Sequence, residues 1–138
     1  MIVKPSLQLT DDPALLITDD DADFREALAE LFERRGFRIR LACDGEEALD
    51  VLRQATIHVA VLDIHMPRLT GIETLRQVRK SSADLPCILV SADLDPTLCE
   101  QARQAAAFSV VAKPVSSRQI TAIVHDALRQ SYDWTPAD

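Results

Sequence analysis

Residues 14–21 read Ala14-Leu15-Leu16-Ile17-Thr18-Asp19-Asp20-Asp21. The apolar run is too short for a free-standing helix and too apolar for an exposed loop, so it describes a strand buried on both faces. An acidic loop follows at once. From Phe24, the apolar residues Phe24, Ala27, Leu28, Leu31 and Phe32 recur at i, i+3, i+4, i+7 and i+8, one stripe of an amphipathic helix that Gly36 stops.

The same strand-then-helix unit recurs downstream. Phe37, Ile39 and Leu41 alternate with Arg38 and Arg40, a more exposed strand suited to a sheet edge. Asp44-Gly-Glu-Glu47 caps a second helix whose stripe is Ala48, Val51, Leu52 and Ala55. Val59-Ala-Val-Leu62 is a buried strand ending in Asp63, and Ile72, Leu75 and Val78 mark a third helix after a loop shaped by Pro67 and Gly71. Cys87-Ile-Leu-Val90 is the fourth strand, and Asp95-Pro96 opens a helix carrying Leu98, Ala102 and Ala105. Phe108 to Ala112 is the fifth strand, and Ser116 with Gln119 forms a capping box for a last helix bearing Ile120, Ile123, Val124, Ala127 and Leu128. Five alternations with no fixed-period repeat predict an α/β fold, a parallel sheet with helices on both faces.

Length and composition agree with one folded domain. The chain has 138 residues, 47% hydrophobic and 27% charged, which argues against disorder or a disulfide scaffold. Fifteen Lys and Arg against 22 Asp and Glu give a charge of −7, which repels a phosphate backbone on average. Direct DNA binding is not expected either, because no helix-turn-helix segment or basic patch follows the last helix. No apolar run approaches the roughly 20 residues of a transmembrane helix, and Met1 to Thr10 lacks the pattern of a secretory signal, so no membrane association and a cytoplasmic location are expected. Cys43, Cys87 and Cys99 form no CxxC pair and are read as reduced, small buried hydrophobes. Residues 1–12 are read as an N-terminal extension, 13–130 as the domain and 131–138 as a frayed tail.

In a parallel sheet of this kind ligands sit beyond the carboxyl ends of the strands. The residues there are Asp19, Asp20 and Asp21, then Asp63, Ser91 and Lys113. Any one of them has an ordinary reading: Asp19 to Asp23 as a helix cap, Asp63 or Ser91 as a turn former, Lys113 as a surface charge. Carboxylates brought within about 4–6 Å repel and raise one another's pKa unless a cation lies among them, and an all-oxygen site suits Mg2+. A carboxylate beside Mg2+, with an ammonium and a hydroxyl at hand, is a workable phosphoryl acceptor. Asp63 would be the nucleophile, Lys113 would pair with a phosphoryl oxygen and Ser91 would donate to another. His58, His65 and His125 fall on different elements without ligand spacing, so no histidine metal site is expected.

The chain resembles the receiver domain of two-component response regulators, a flavodoxin-like (βα)5 fold with strand order 2-1-3-4-5. The marks are Ile17-Thr-Asp-Asp20, Asp63-Ile-His-Met-Pro67 with Gly71, Ser91-Ala92 and Lys113-Pro114, spread from about Ala14 to about Arg129. The resemblance implies that Asp63 takes a phosphoryl group from a sensor histidine kinase or phosphotransfer protein. It implies that Asp20 and Asp63 ligate Mg2+ directly, with Asp19 acting through a water and the backbone carbonyl of His65 completing the set. It further implies that the domain catalyses only its own phosphorylation and dephosphorylation. The Ser91 hydroxyl would be drawn toward the phosphoryl group, repacking a face of the fourth helix, fifth strand and fifth helix that docks an effector or a second receiver as a homodimer.

Three positions depart from the family pattern. The residue three before the lysine is commonly Tyr or Phe and is Val110; Phe108, two residues away, shares its side of a regular strand. A frequent Gly before the fifth strand is Ala106, and a frequent Phe after Lys-Pro is Val115. Val110 motivates an alternative, a receiver-like interaction module that works without phosphorylation. A phosphate-ester hydrolase is disfavoured because His65 occupies the place of a second acid, and a flavin site because three acids would repel the cofactor phosphate. The chain is expected to be either a stand-alone docking regulator or a receiver cut from a longer protein.

Overall fold

The computed structural model describes residues 12–136. Five units follow one another: β1 (Ala14–Thr18), α1 (Ala22–Glu33), β2 (Arg38–Ala42), α2 (Gly45–Gln54), β3 (Val59–Asp63), α3 (Gly71–Ser81), β4 (Cys87–Ser91), α4 (Pro96–Gln104), β5 (Ser109–Ala112) and α5 (Ser117–Tyr132). All strand pairs are parallel and the order is β2-β1-β3-β4-β5, as expected.

The strand alternation explains the layers. Leu15, Ile17, Val59, Val61, Ile88 and Val90 pack with Leu28 and Phe32 of α1 and Ile120, Val124 and Leu128 of α5. Leu16, Ala60, Leu62, Cys87 and Leu89 face the other way, onto Val51 and Leu52 of α2, Ile72, Leu75 and Val78 of α3 and Ala102 of α4. Every residue of β1, β3 and β4 is buried, because helices cover both faces. On β2, at the edge, only Ala42 is buried.

Caps fix where the helices begin. Asp44 accepts from the Glu47 N–H and Asp95 from the Leu98 N–H, with Pro96 at the first turn of α4. Ser116 accepts from the Gln119 N–H. Thr70 and Glu73 make a full reciprocal box on α3 that the sequence reading passed over.

Three expectations are corrected. Cys87 is buried, but Cys43 and Cys99 are exposed, because one sits where the edge strand turns into α2 and the other on the outer side of α4. Two residues of the expected tail are docked: α5 runs to Tyr132, and Trp134 is buried with its ring edge-on to Phe37 at 6.0 Å. The apolar stripe ends at Leu128, so aromatic docking beyond it carried no helical period. Phe108 and Val110 do not share a side. Phe108 precedes β5 and joins the α1 and α5 layer, whereas Val110 packs with the α2, α3 and α4 layer. Strand alternation does not extend to a residue outside the strand. The extension proper, residues 1–11, lies outside the described residues.

Candidate functional site

The strands β1 and β3 are neighbours, so the acids that end them meet. One carboxylate oxygen from each of Asp19, Asp20 and Asp63 lies within 4.8 Å of the others. Asp19 and Asp63 are buried and Asp20 is exposed. The third acid of the loop is sorted away from them: Asp21 Oδ1 accepts from the Asp23 and Phe24 N–H groups and caps α1.

The loop is held from several sides. The Asp21 N–H donates to Asp19 Oδ1 at 2.8 Å, and Arg25 Nη1 donates to the Asp19 carbonyl at 2.6 Å. Beside Asp63, the Gly71 N–H donates to the Ile64 carbonyl. A Cβ on Gly71 would stand 2.2 Å from the Asp63 carbonyl oxygen, so the close approach of α3 to this strand end requires glycine.

Lys113 arrives from the end of β5, whose register is set by its N–H donating to the Ser91 carbonyl at 2.8 Å. Its Nζ is 2.8 Å from Asp19 Oδ2 and 3.7 Å from Asp63 Oδ1, and it lies 4.3 Å from the centre of the Phe24 ring. Three carboxylates thus face one ammonium. Burial, and then the charge of Asp19, push the Asp63 carboxyl up to about 6; Lys113 and the His65 N–H, which donates to Asp63 Oδ1 at 3.4 Å, pull the other way.

The sequence-selected residues Asp19, Asp20, Asp63 and Lys113 therefore meet directly. Ser91 is fully buried at the end of β4, where its Oγ accepts from the Asp93 N–H at 3.0 Å and lies 2.8 Å from His65 Nε2. His58 and His125 lie elsewhere: His58 Nδ1 accepts from the Ala14 N–H and His125 packs against Trp134. Phe24 and Arg25 are contacts the sequence reading missed. Phe24 carried only a helix-stripe signal, and nothing local pointed to Lys113.

Crowded, partly buried carboxylates without an equal number of cations hold excess negative charge that a cation would relieve. The donor set is all oxygen, which fits a hard ion such as Mg2+ rather than zinc or copper. Among the described residues, no helix is long and apolar enough to cross a membrane.

Comparison with known proteins points to one family. The response regulator receiver domain profile matches residues 15–125. Response regulator MprA of Mycolicibacterium vanbaalenii is 34% identical over 124 residues, 90% of this chain and 52% of that protein. MprA of Mycobacterium avium is 33% identical over 85% of this chain and 51% of its own length. The chain thus spans about half the length of these relatives. Among solved structures, a Francisella response regulator receiver domain is 28% identical with a TM-score of 0.81, covering 86% of this chain and 98% of that one. The chemotaxis protein CheY4 of Vibrio cholerae, 23% identical, shares the fold with a TM-score of 0.82 over 86% of this chain and 100% of its own. A profile match over most of the chain and relatives above 30% identity place this chain in the response regulator receiver domain family.

Proposed function

We propose that Asp63 accepts a phosphoryl group from the phosphohistidine of a sensor histidine kinase or phosphotransfer protein, in a Mg2+-dependent reaction that switches a protein-docking face. The observation that carries this reading is the placement of the Asp63 carboxyl: at a strand end, among Asp19 and Asp20, with the Lys113 ammonium 3.7 Å away. An Asp63 Oδ would attack phosphorus while the P–N bond of the donor breaks, its electron pair staying on the imidazole. The product is an acyl phosphate, and water returns the carboxylate and inorganic phosphate. The domain in this reading promotes only its own phosphorylation and dephosphorylation.

Asp20 and Asp63 would ligate Mg2+, Asp19 would hold one of its waters, and the His65 carbonyl would complete the protein ligands. When bound, the ion supplies charge neutralisation among the acids and at the transferring group. Lys113 has the reach to pair with a phosphoryl oxygen, because it already spans Asp19 and Asp63. Ser91 would donate its hydroxyl to another oxygen. Output would pass to the face of α4, β5 and α5, for an effector or a second copy. A cytoplasmic site of action fits a kinase donor.

The test is intact-mass analysis after incubation with acetyl phosphate, with and without Mg2+, on the wild type and Asp63→Asn. One Mg2+-dependent phosphoryl adduct, absent from the variant, is expected. No adduct on folded, Mg2+-binding protein would instead favour an interaction module that works without phosphorylation.

A further inference from the structure

We propose that His65 is a positioning residue for Ser91, holding the serine's hydroxyl proton in the unphosphorylated chain and releasing it when Asp63 is phosphorylated. The inference rests on the reading of Asp63 as phosphoacceptor. A serine hydroxyl has one proton and two lone pairs. The Asp93 N–H occupies one lone pair of Ser91 Oγ at 3.0 Å. Its other hydrogen-bond partner among the described residues is His65 Nε2 at 2.8 Å, and giving that nitrogen the proton satisfies both groups, with the ring proton on Nδ1.

That arrangement has a cost for phosphoryl transfer. One proton cannot serve Nε2 and a phosphoryl oxygen together, so Ser91 contributes to the site only after the His65 bond breaks. His65 is well placed to sense the change. It stands two residues beyond Asp63, its own N–H donates to Asp63 Oδ1, and its side chain is exposed while Ser91 is fully buried. The ring also borders a groove of about 300 Å3 between α3 and α4, lined by Thr70, Glu73, Leu98 and Gln101, so a released ring has room to move. A phosphoryl group on Asp63 would thus be reported at the α3–α4 groove by an imidazole that loses its anchor.

Two measurements on the full chain test this. In unphosphorylated protein labelled with 15N, wild-type His65 should be mainly the Nδ1–H tautomer. Ser91→Ala should shift it toward the Nε2–H form and Ser91→Thr should not. An unchanged imidazole spectrum in Ser91→Ala overturns the latch while leaving the Asp63 reading intact. The second measurement is the rate of phosphoryl uptake from acetyl phosphate in a double-mutant cycle. His65→Phe keeps ring bulk but no acceptor, and should speed uptake about two- to tenfold, the range of one neutral hydrogen bond. His65→Ala should do the same. Both should be without effect in the Ser91→Ala background and effective again in Ser91→Thr. Equal acceleration in Ser91→Ala shows that the ring acts by bulk at the entrance, which overturns the proposal. Absence of any adduct in the wild type contradicts the Asp63 reading and the release step with it.

Discussion

The two ends of the sheet bury polar groups in opposite ways. At the amino ends of the strands, the Ala14 N–H donates to His58 Nδ1 at 2.9 Å and the Tyr132 hydroxyl donates to the His58 carbonyl at 2.9 Å. Trp134 closes over Phe37 and His125 beside them. Donors meet acceptors there, and the aromatic rings bury area. At the carboxyl ends, acids face acids: Asp19 and Asp63 are buried together, and Asp63 is held at about 6 against an ordinary 3.8. One end is arranged for stability, and the other keeps a crowded acidic cluster that Lys113 only partly offsets.

The largest effect expected at the stabilising end is that of Trp134→Ala. Removing a buried indole should cost about 3 kcal/mol in urea unfolding, with phosphorylation by acetyl phosphate retained in the folded fraction. A loss below about 0.5 kcal/mol would mean that the clasp contributes little and the comparison is lopsided.

Next comes the acidic end without metal. A folded-state pKa raised from 3.8 to about 6 means that the native protein binds the Asp63 proton more tightly than the unfolded chain. The stabilisation tied to that proton is present below pH 3.8 and is lost as pH rises through about 6. Asp63→Asn should therefore be more stable than wild type by about 2 kcal/mol above pH 6, and this advantage should shrink toward pH 4. Mg2+ should narrow the difference by stabilising the wild type, a shift readable in thermal melts. Asn less stable than Asp at neutral pH without metal would break the comparison.

Two smaller effects sharpen it. Tyr132→Phe removes the donor to the His58 carbonyl and should cost about 1 kcal/mol without changing phosphoryl uptake. Ala106, just before β5, sits at φ 62, a left-handed conformation that penalises a Cβ. Ala106→Gly should gain about 0.5–1 kcal/mol by chemical denaturation, so even the stabilising end retains one correctable strain.

The sequence made the acidic end legible and the aromatic end largely invisible, for a physical reason. Asp63 ends an apolar run that reads as a buried strand and Lys113 follows the last strand of the sheet, and parallel topology then brings the ends of the strands to one side. The fold and the four groups in direct contact come from that logic. Tyr132 and Trp134 follow the end of the helical stripe, and their partners His58 and Phe37 lie far away in the chain, so no periodicity reports the contact. The Phe24 ring over Lys113 and the His65 bond to Ser91 are the same kind of fact: the pattern gives each residue its element, but not which distant side chain it meets. Phe108 shows the limit of alternation itself, since its side could not be counted from Val110 once the strand began one residue later.

The most direct test of the account maps the phosphoryl group. Chain treated with acetyl phosphate and Mg2+ is reduced with borohydride, which converts an acyl phosphate to the alcohol, and its peptides are sequenced by mass spectrometry. Conversion confined to Asp63 is the expected result. Conversion at Asp19 or Asp20 instead, or at no carboxylate of the pocket, would contradict it.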